Sequence, residues 1–330
     1  MTCQVVDDNG ATPVVGLHFR NDGDASFASM PMYDDGTHGD ALAGDGIFAA
    51  LLTARPVGTI VEFYITATDG ALVRSWPMPG RDYTGTLVQS QNCLYQVEET
   101  PYAGAMPIYR VILRAADQAE LTQINRNSPG TPPFPFHLGE VTDQTYSHAK
   151  FNATFISQDG TGTKLRYLSG IRNRGNGSRN LAPQSFAVLF SNSNPWNSQT
   201  GINLNTQDTP YQLFGSALFR KAGLAMAESR AVQVRVNATN PANNQGAPSY
   251  GFYVCNERQN SEFAAHHFPL DSSGNIYHGQ RIIRGTTEGG TKLGGADLGL
   301  ITPAPGETLS EVDLYKLNYS KETNNSEDNW

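Results

Sequence analysis

Lysine is missing from the first 107 residues, where four arginines face 13 acidic side chains. Residues 108–330 are nearly balanced, so the net charge of −8 arises at the start of the chain. No concentrated basic face is in sight, which argues against a nucleic-acid partner, since duplex binding rests on clustered Lys and Arg. Cysteine is scarce. Three in 330 residues cannot form a disulfide framework. Cys3 and Cys93 leave room for one bridge across the first hundred residues, and Cys255, inside an alternating strand, reads as a small buried apolar residue. No apolar run approaches the ~20 residues a membrane helix needs, so no membrane span is expected. The start, Met1-Thr2-Cys3-Gln4, lacks the basic and apolar regions of a signal peptide, and the end, Asp328-Asn329-Trp330, is polar. Together these read as a chain taken from inside a longer gene.

What is abundant is glycine, at 33, and proline, at 19, in a chain with 10% aromatic residues. Such a composition has core-forming material but many turns, and favours strand over helix. The length suits two domains, and the charge step places the boundary near residue 100. Strands are predicted over 13–19, 27–33, 46–52, 60–68 and 72–76, spaced as in a small antiparallel sandwich. Between the second and third runs Asp34-Asp35-Gly36-Thr37-His38-Gly39-Asp40-Ala41-Leu42-Ala43-Gly44-Asp45-Gly46. Asp35, Asp40 and Asp45 recur every five residues. Either they cap their own turns, or they offer oxygen ligands to Ca²⁺, although the spacing is not that of an EF-hand.

Beyond residue 108 the pattern mixes strands at 109–113, 148–157, 164–174, 185–190, 232–236 and 250–257 with helices near 117–124 and over 210–222. Asp117 with Glu120 reads as a capping box. Leu213, Phe214, Ala217 and Leu218 share one side of the second helix, which Gly223 ends. Residues 128–136, rich in proline, form a loop. The expected fold class is α+β, with a mainly antiparallel sheet in this part.

Six motifs in order carry a family resemblance: Arg172-Asn173-Arg174-Gly175-Asn176-Gly177-Ser178-Arg179, Leu204-Asn205, Phe219 to Leu224, Val234-Arg235-Val236-Asn237, Tyr250 to Glu257, and Asn275-Ile276-Tyr277. Over about 108–330 the chain resembles spore coat protein H, the CotH family of atypical protein kinases. Residues 34–48, 61–69 and 75–77 are similar to the immunoglobulin-like modules that precede such domains in bacterial surface proteins. The resemblance implies a β-sandwich over 1–88, a linker over 89–107 and, over 108–330, the N-terminal part of a kinase-like domain. It also implies a secreted or cell-surface protein that uses ATP and Mg²⁺ to phosphorylate Ser/Thr of a protein substrate. The alternative is a non-catalytic module on the same scaffold, with a surface polymer as partner.

Phosphoryl transfer asks a protein for cations on the phosphates and carboxylates on Mg²⁺. Arg172, Arg174 and Arg179, on a Gly-rich turn, can meet phosphates or merely fix the turn. Glu257 closes a buried-looking strand, where a carboxylate needs a partner. It orients a cation or reaches Mg²⁺, or else it pairs with Arg258 or Arg235. Lys321 either compensates for cations the family has and this chain lacks at Gln184 and His278, or is solvated. The family's catalytic and metal-binding aspartate segments occur nowhere in 1–330, so no catalytic residue is assigned and the chain is expected to be inactive as a kinase. His266, His267 and His278 do not read as metal ligands, because neighbouring histidines on a helix face different sides.

Overall fold

The computed structural model describes the chain apart from residues 9, 11, 99–101, 103, 125–147, 176–180, 244–245, 280–282, 285–290, 293–299, 301–307, 309 and 328–330. Its first part holds β1 (Thr2–Gln4), β2 (Val14–Asn21), β3 (Ala28–Met32), β4 (Ile47–Ala49), β5 (Ile60–Asp69), β6 (Leu72–Trp76), the short pair β7 (Gly80–Arg81) and β8 (Leu87–Val88), and β9 (Cys93–Gln96). The strands β3-β2-β5-β6 form one antiparallel sheet, and β9 pairs with the first half of β5, where Phe63 lies opposite Cys93. The ribbon β1–β4 lies apart from that sheet in its pairing. Alternation along β2 sends Val15 and Leu17 inward, onto Phe48, Phe63, Ile65 and Cys93. The β9 pairing carries the first sheet into the stretch 89–107 that reads as a linker.

The second part contains β10 (Ile108–Ile112), α1 (Ala115–Gln123), β11 (Phe151–Gln158), β12 (Thr163–Asn173), β13 (Phe186–Leu189), β14 (Gly201–Asn205), α2 (Thr209–Lys221), β15 (Ser229–Val236), β16 (Tyr253–Glu257) and α3 (Ser261–His267). Seven of these strands close into a barrel in the order β10-β11-β12-β13-β14-β16-β15. Every neighbour pair is antiparallel except the closing one, β10 with β15, where Tyr109 lies beside Val234. The remaining described elements are β17 (Tyr277–Gly279), β18 (Ile283–Arg284), β19 (Thr291–Lys292), α4 (Glu311–Asn318) and β20 (Tyr319–Lys321), with β17 paired to β20 and β18 to β19.

This overturns the expected fold class. The molecule is mostly β, with a closed barrel and several sheets, and it is neither a sandwich nor an α+β kinase-like domain. β1, β9 and β14 lie outside the expected runs, but the other main strands of the two parts were readable from alternation. Closure was not, because it depends on a parallel pairing between segments more than a hundred residues apart.

The barrel is filled, not hollow. Tyr109, Phe155, Phe190 and Trp196 pack edge-to-face or tilted with ring centroids 5.1–6.1 Å apart, geometry that adds to the area they bury. The indole N–H of Trp196 donates to Ser157 Oγ at 2.8 Å, so the buried polar edge is satisfied. A seam of hydrogen bonds joins the two parts. The hydroxyl of Thr154 on β11 donates to Leu94 O at 2.6 Å and accepts from Leu94 N at 3.3 Å, and Asn152 donates to Asn92 O.

Three local expectations change. Asp117 does not cap α1. The helix begins earlier, at Ala115, and Asp117 instead grips the Arg114 guanidinium at 2.8 and 2.9 Å. In α2 the buried positions are Thr209 and Ser216, while Tyr211, Phe214 and Leu218 are exposed. Gly223 ends it with φ +82°, a conformation that favours glycine. The bridge allowed for Cys3 and Cys93 is absent. Both are free thiols, and burial pushes the Cys3 thiol up to about 11 against the nearby N-terminal ammonium. Cys255 lies in the barrel core. No described helix is long and apolar enough to cross a membrane.

Candidate functional site at the barrel mouth

Directly paired residues on neighbouring strands project to the same side of a sheet. One row around the barrel runs Ile171, Val188, Ile202 and Glu257. The first three belong to the core, so Glu257 also points inward, at the end of the barrel where β16 stops. The next row, Leu204 with Cys255 and then Arg230, brings a guanidinium to the same interior end. Arg172 lies between the buried Ile171 and Asn173 and therefore faces outward.

The sequence-predicted nucleotide residues thus separate. Arg172 donates to Asn173 O at 3.1 Å and meets His148 Nδ1 at 3.4 Å, and burial, with Arg258 nearby, lowers its pKa. Arg174 hydrogen-bonds Asn205 Oδ1 on the outer face of β14. Asn205 and Asn256 in turn both donate to Gln212 Oε1, at 2.8 and 2.9 Å. Arg174 therefore opens a polar chain that pins α2 to the outside wall. Arg179 lies outside the described residues. Lys321, expected to be solvated or in the site, is buried in β20 and donates to Glu327 O at 2.9 Å. Arg258, next to Glu257, falls on the other face of the strand, across Gly201, where a Cβ would come within 2.9 Å of its Nη1. Arg235 is occupied with Gln233 and Ala238 O.

The partners of Glu257 are histidines. Its Oε1 lies 2.9 Å from His266 Nδ1 and its Oε2 2.8 Å from His267 Nε2, and Oε2 also accepts the Glu228 N–H at 3.0 Å. The carboxylate side chain is only 3% exposed. Burial alone would raise its pKa, but the hydrogen bonds from His267, the Glu228 amide and His266 outweigh that and hold it below the usual carboxylate range. The same contact raises the His266 pKa, with the Glu257 hydrogen bond the leading cause. Both rings reach one carboxylate because α3 is a single short run that starts just past β16. Asn260 caps it, accepting from Glu262 N and Phe263 N, and its last turn swings back over the strand end. The two imidazoles end 4.5 Å apart, and the Phe263 ring packs 4.2 Å from His267.

Beside this cluster Arg230 donates to the Tyr109 hydroxyl and to Asp159 Oδ2, the latter at 3.3 Å, with its guanidinium 5.3 Å from the Trp196 ring centroid. Asp159 is held below its ordinary pKa against the pull of burial, through Thr161 and Arg230. A cleft of about 760 Å³ opens over these groups, with Arg220, Glu228, Glu262 and His266 on its walls. Sequence reasoning found Glu257 and missed its partners, together with Arg230 and Asp159. The available signal was parity: Tyr253, Cys255 and Glu257 alternate onto one face, and a capped turn of helix brings a His pair back within ten residues. His278 is elsewhere, 3.7 Å from Glu322.

In the first part, Asp34 and not Asp35 joins Asp40 and Asp45 in bringing carboxylate oxygens within 4.8 Å of one another. These oxygens serve turns: Asp34 accepts from Gly44 and Gly46 N–H, Asp40 from Gly36 and Asp45 from Ile47. Asp35 is taken by Thr37 and His38. Compared with known proteins, the chain matches no family model and no curated protein, so the likeness to spore coat protein H rests on its six motifs alone.

Proposed function

We propose that this chain is a non-catalytic module of an exported or cell-surface protein that binds a polar, hydroxyl-rich surface polymer in the mouth of its barrel. The observation that carries this reading is the pairing of charges around the cleft. Arg230 is matched by Asp159, Arg220 by Glu228 at 3.3 Å, and Glu257 by the two histidines. The lining itself mixes Arg220 and Arg230 with Glu228, Glu257 and Glu262, so it offers hydrogen-bond donors and acceptors side by side without a field of one sign. That suits hydroxyl groups better than a polyphosphate, which calls for converging cations and a metal held by carboxylates. Arg172 and Arg174 are spent on the outer wall. The surface location is supported by the likeness of residues 34–48 to modules of bacterial surface proteins.

Calorimetry against bacterial surface polysaccharides tests the reading, with Arg220→Ala and Glu262→Gln as cleft variants. Each removes one charge-assisted hydrogen-bonding group, and binding is expected to weaken about tenfold or more. Labelled phosphate from ATP should not be transferred to protein above a heat-killed control. Transfer above that control, or polymer binding equal in both variants, contradicts the proposal.

A further inference from the structure

The Glu257 cluster carries a property that goes beyond polymer binding and does not depend on it. We infer that Glu257, His266 and His267 form a divalent transition-metal site of the zinc type, open to the barrel-mouth cleft. Two imidazole nitrogens and one carboxylate, with ligand atoms all within 4.8 Å, are the donor set that zinc takes from proteins when it keeps a position for an outside ligand. Imidazole selects for this class of ion over Ca²⁺ or Mg²⁺, which prefer oxygen cages.

Geometry supports the fit. Zn–N and Zn–O bonds of about 2.0–2.1 Å in a tetrahedron put ligand atoms roughly 3.3 Å apart. His266 Nδ1 lies 2.9 Å from Oε1 and His267 Nε2 2.8 Å from Oε2, and one ligand atom from each residue falls within 4.8 Å of the others, so modest movements of the rings bring the three to that spacing. His266 has that freedom, being 53% exposed on the cleft side. The other two ligands are held. The Glu228 N–H fixes one carboxylate oxygen, and the Phe263 ring lies against His267, the kind of outer support that orients metal ligands. On binding, the proton that each imidazole nitrogen directs at Glu257 passes to the ring's other nitrogen in a neutral ring, or to solvent from an imidazolium, and the vacated nitrogen presents its lone pair to the ion. The remaining coordination position faces the cleft beside Arg220 and Glu262.

The test is a zinc titration of the full chain, read by calorimetry and by competition with a chromophoric chelator. One equivalent should bind with a dissociation constant on the order of micromolar. His266→Ala, at an exposed position that leaves folding intact, should weaken it about tenfold to a hundredfold, and Glu257→Gln at least as much. Asp34→Asn with Asp45→Asn, in the first part, should leave it unchanged. Cobalt(II) in place of zinc should give a tetrahedral visible spectrum that disappears in His266→Ala. Zinc binding that survives His266→Ala unchanged, binding lost only with Asp34 and Asp45, or no binding at micromolar metal overturns the inference.

Discussion

Replacing Phe155 with alanine should destabilise the folded chain by about 3–5 kcal/mol, the range for deleting a fully buried aromatic ring from a core. Phe155 has no exposed surface and stands in the middle of the barrel's aromatic cluster. Its ring lies 5.3 Å from Tyr109, 5.1 Å from Phe190 and 5.7 Å from Trp196, all in T-shaped contact. The cavity cannot collapse easily, because its walls are strands whose positions are fixed by closure. Urea unfolding of the variant should show the lower midpoint with an unchanged slope. A loss below about 1 kcal/mol would mean that Phe155 does not fill a closed interior.

Arg20→Met should cost about 3 kcal/mol, because it strands a buried carboxylate. Glu62 on β5 has a side chain only 3% exposed and accepts from Arg20 Nε at 2.8 Å, from Arg20 Nη2 at 2.7 Å and from Asn92 Nδ2 at 2.7 Å. Removing the guanidinium leaves the carboxylate with one hydrogen-bond donor, the Asn92 amide, and only the attraction of the Arg114 charge besides. Breaking one side of a buried pair costs about 3–5 kcal/mol, taken here at the low end because the Arg20 side chain is 21% exposed and also rests on the Phe27 ring. Adding Glu62→Leu to Arg20→Met should return most of the loss, since an apolar pair can replace a buried ion pair at little cost. If the double variant is no more stable than Arg20→Met alone, the loss does not come from the stranded charge.

Many strand positions in both parts followed from alternation, as in the expected runs 13–19 and 232–236, which overlap β2 and β15, because period-two burial is a local property of the chain. Turn chemistry was equally local: Asp35, Asp40 and Asp45 accept the backbone N–H groups of Thr37, Gly36 and Ile47, one of the two readings open to them. The barrel was not legible, since the pairing of Tyr109 with Val234 leaves no mark in either segment alone. The site was half legible. A carboxylate at the end of a buried strand pointed to Glu257, but the requirement for a partner was assigned to arginine. Arg258 lies one residue away and therefore on the opposite face, whereas His266 and His267 return through a capped turn. The rule that adjacent histidines face apart assumes a helix that continues. Here α3 ends at His267, and both rings are free to fold over the same strand end. Arg172 and Arg174 share a motif in sequence with Ile171 and Asn173 but not a face, which is why they lie on the outer wall and not beside Glu257.

Whether Glu257 belongs with the histidines of the barrel mouth or with the arginines of the outer wall is read most directly by two double-mutant cycles, measured by urea unfolding in the presence of a metal chelator. Glu257→Gln combined with His267→Ala should be non-additive by about 1 kcal/mol or more, as for side chains in one hydrogen-bonded cluster. Glu257→Gln combined with Arg174→Ala should add within about 0.5 kcal/mol, as for groups that share no partner. The reverse result, with Glu257 coupled to Arg174 and indifferent to His267, would contradict the barrel-mouth site and restore a shared site for the arginine turn and the carboxylate.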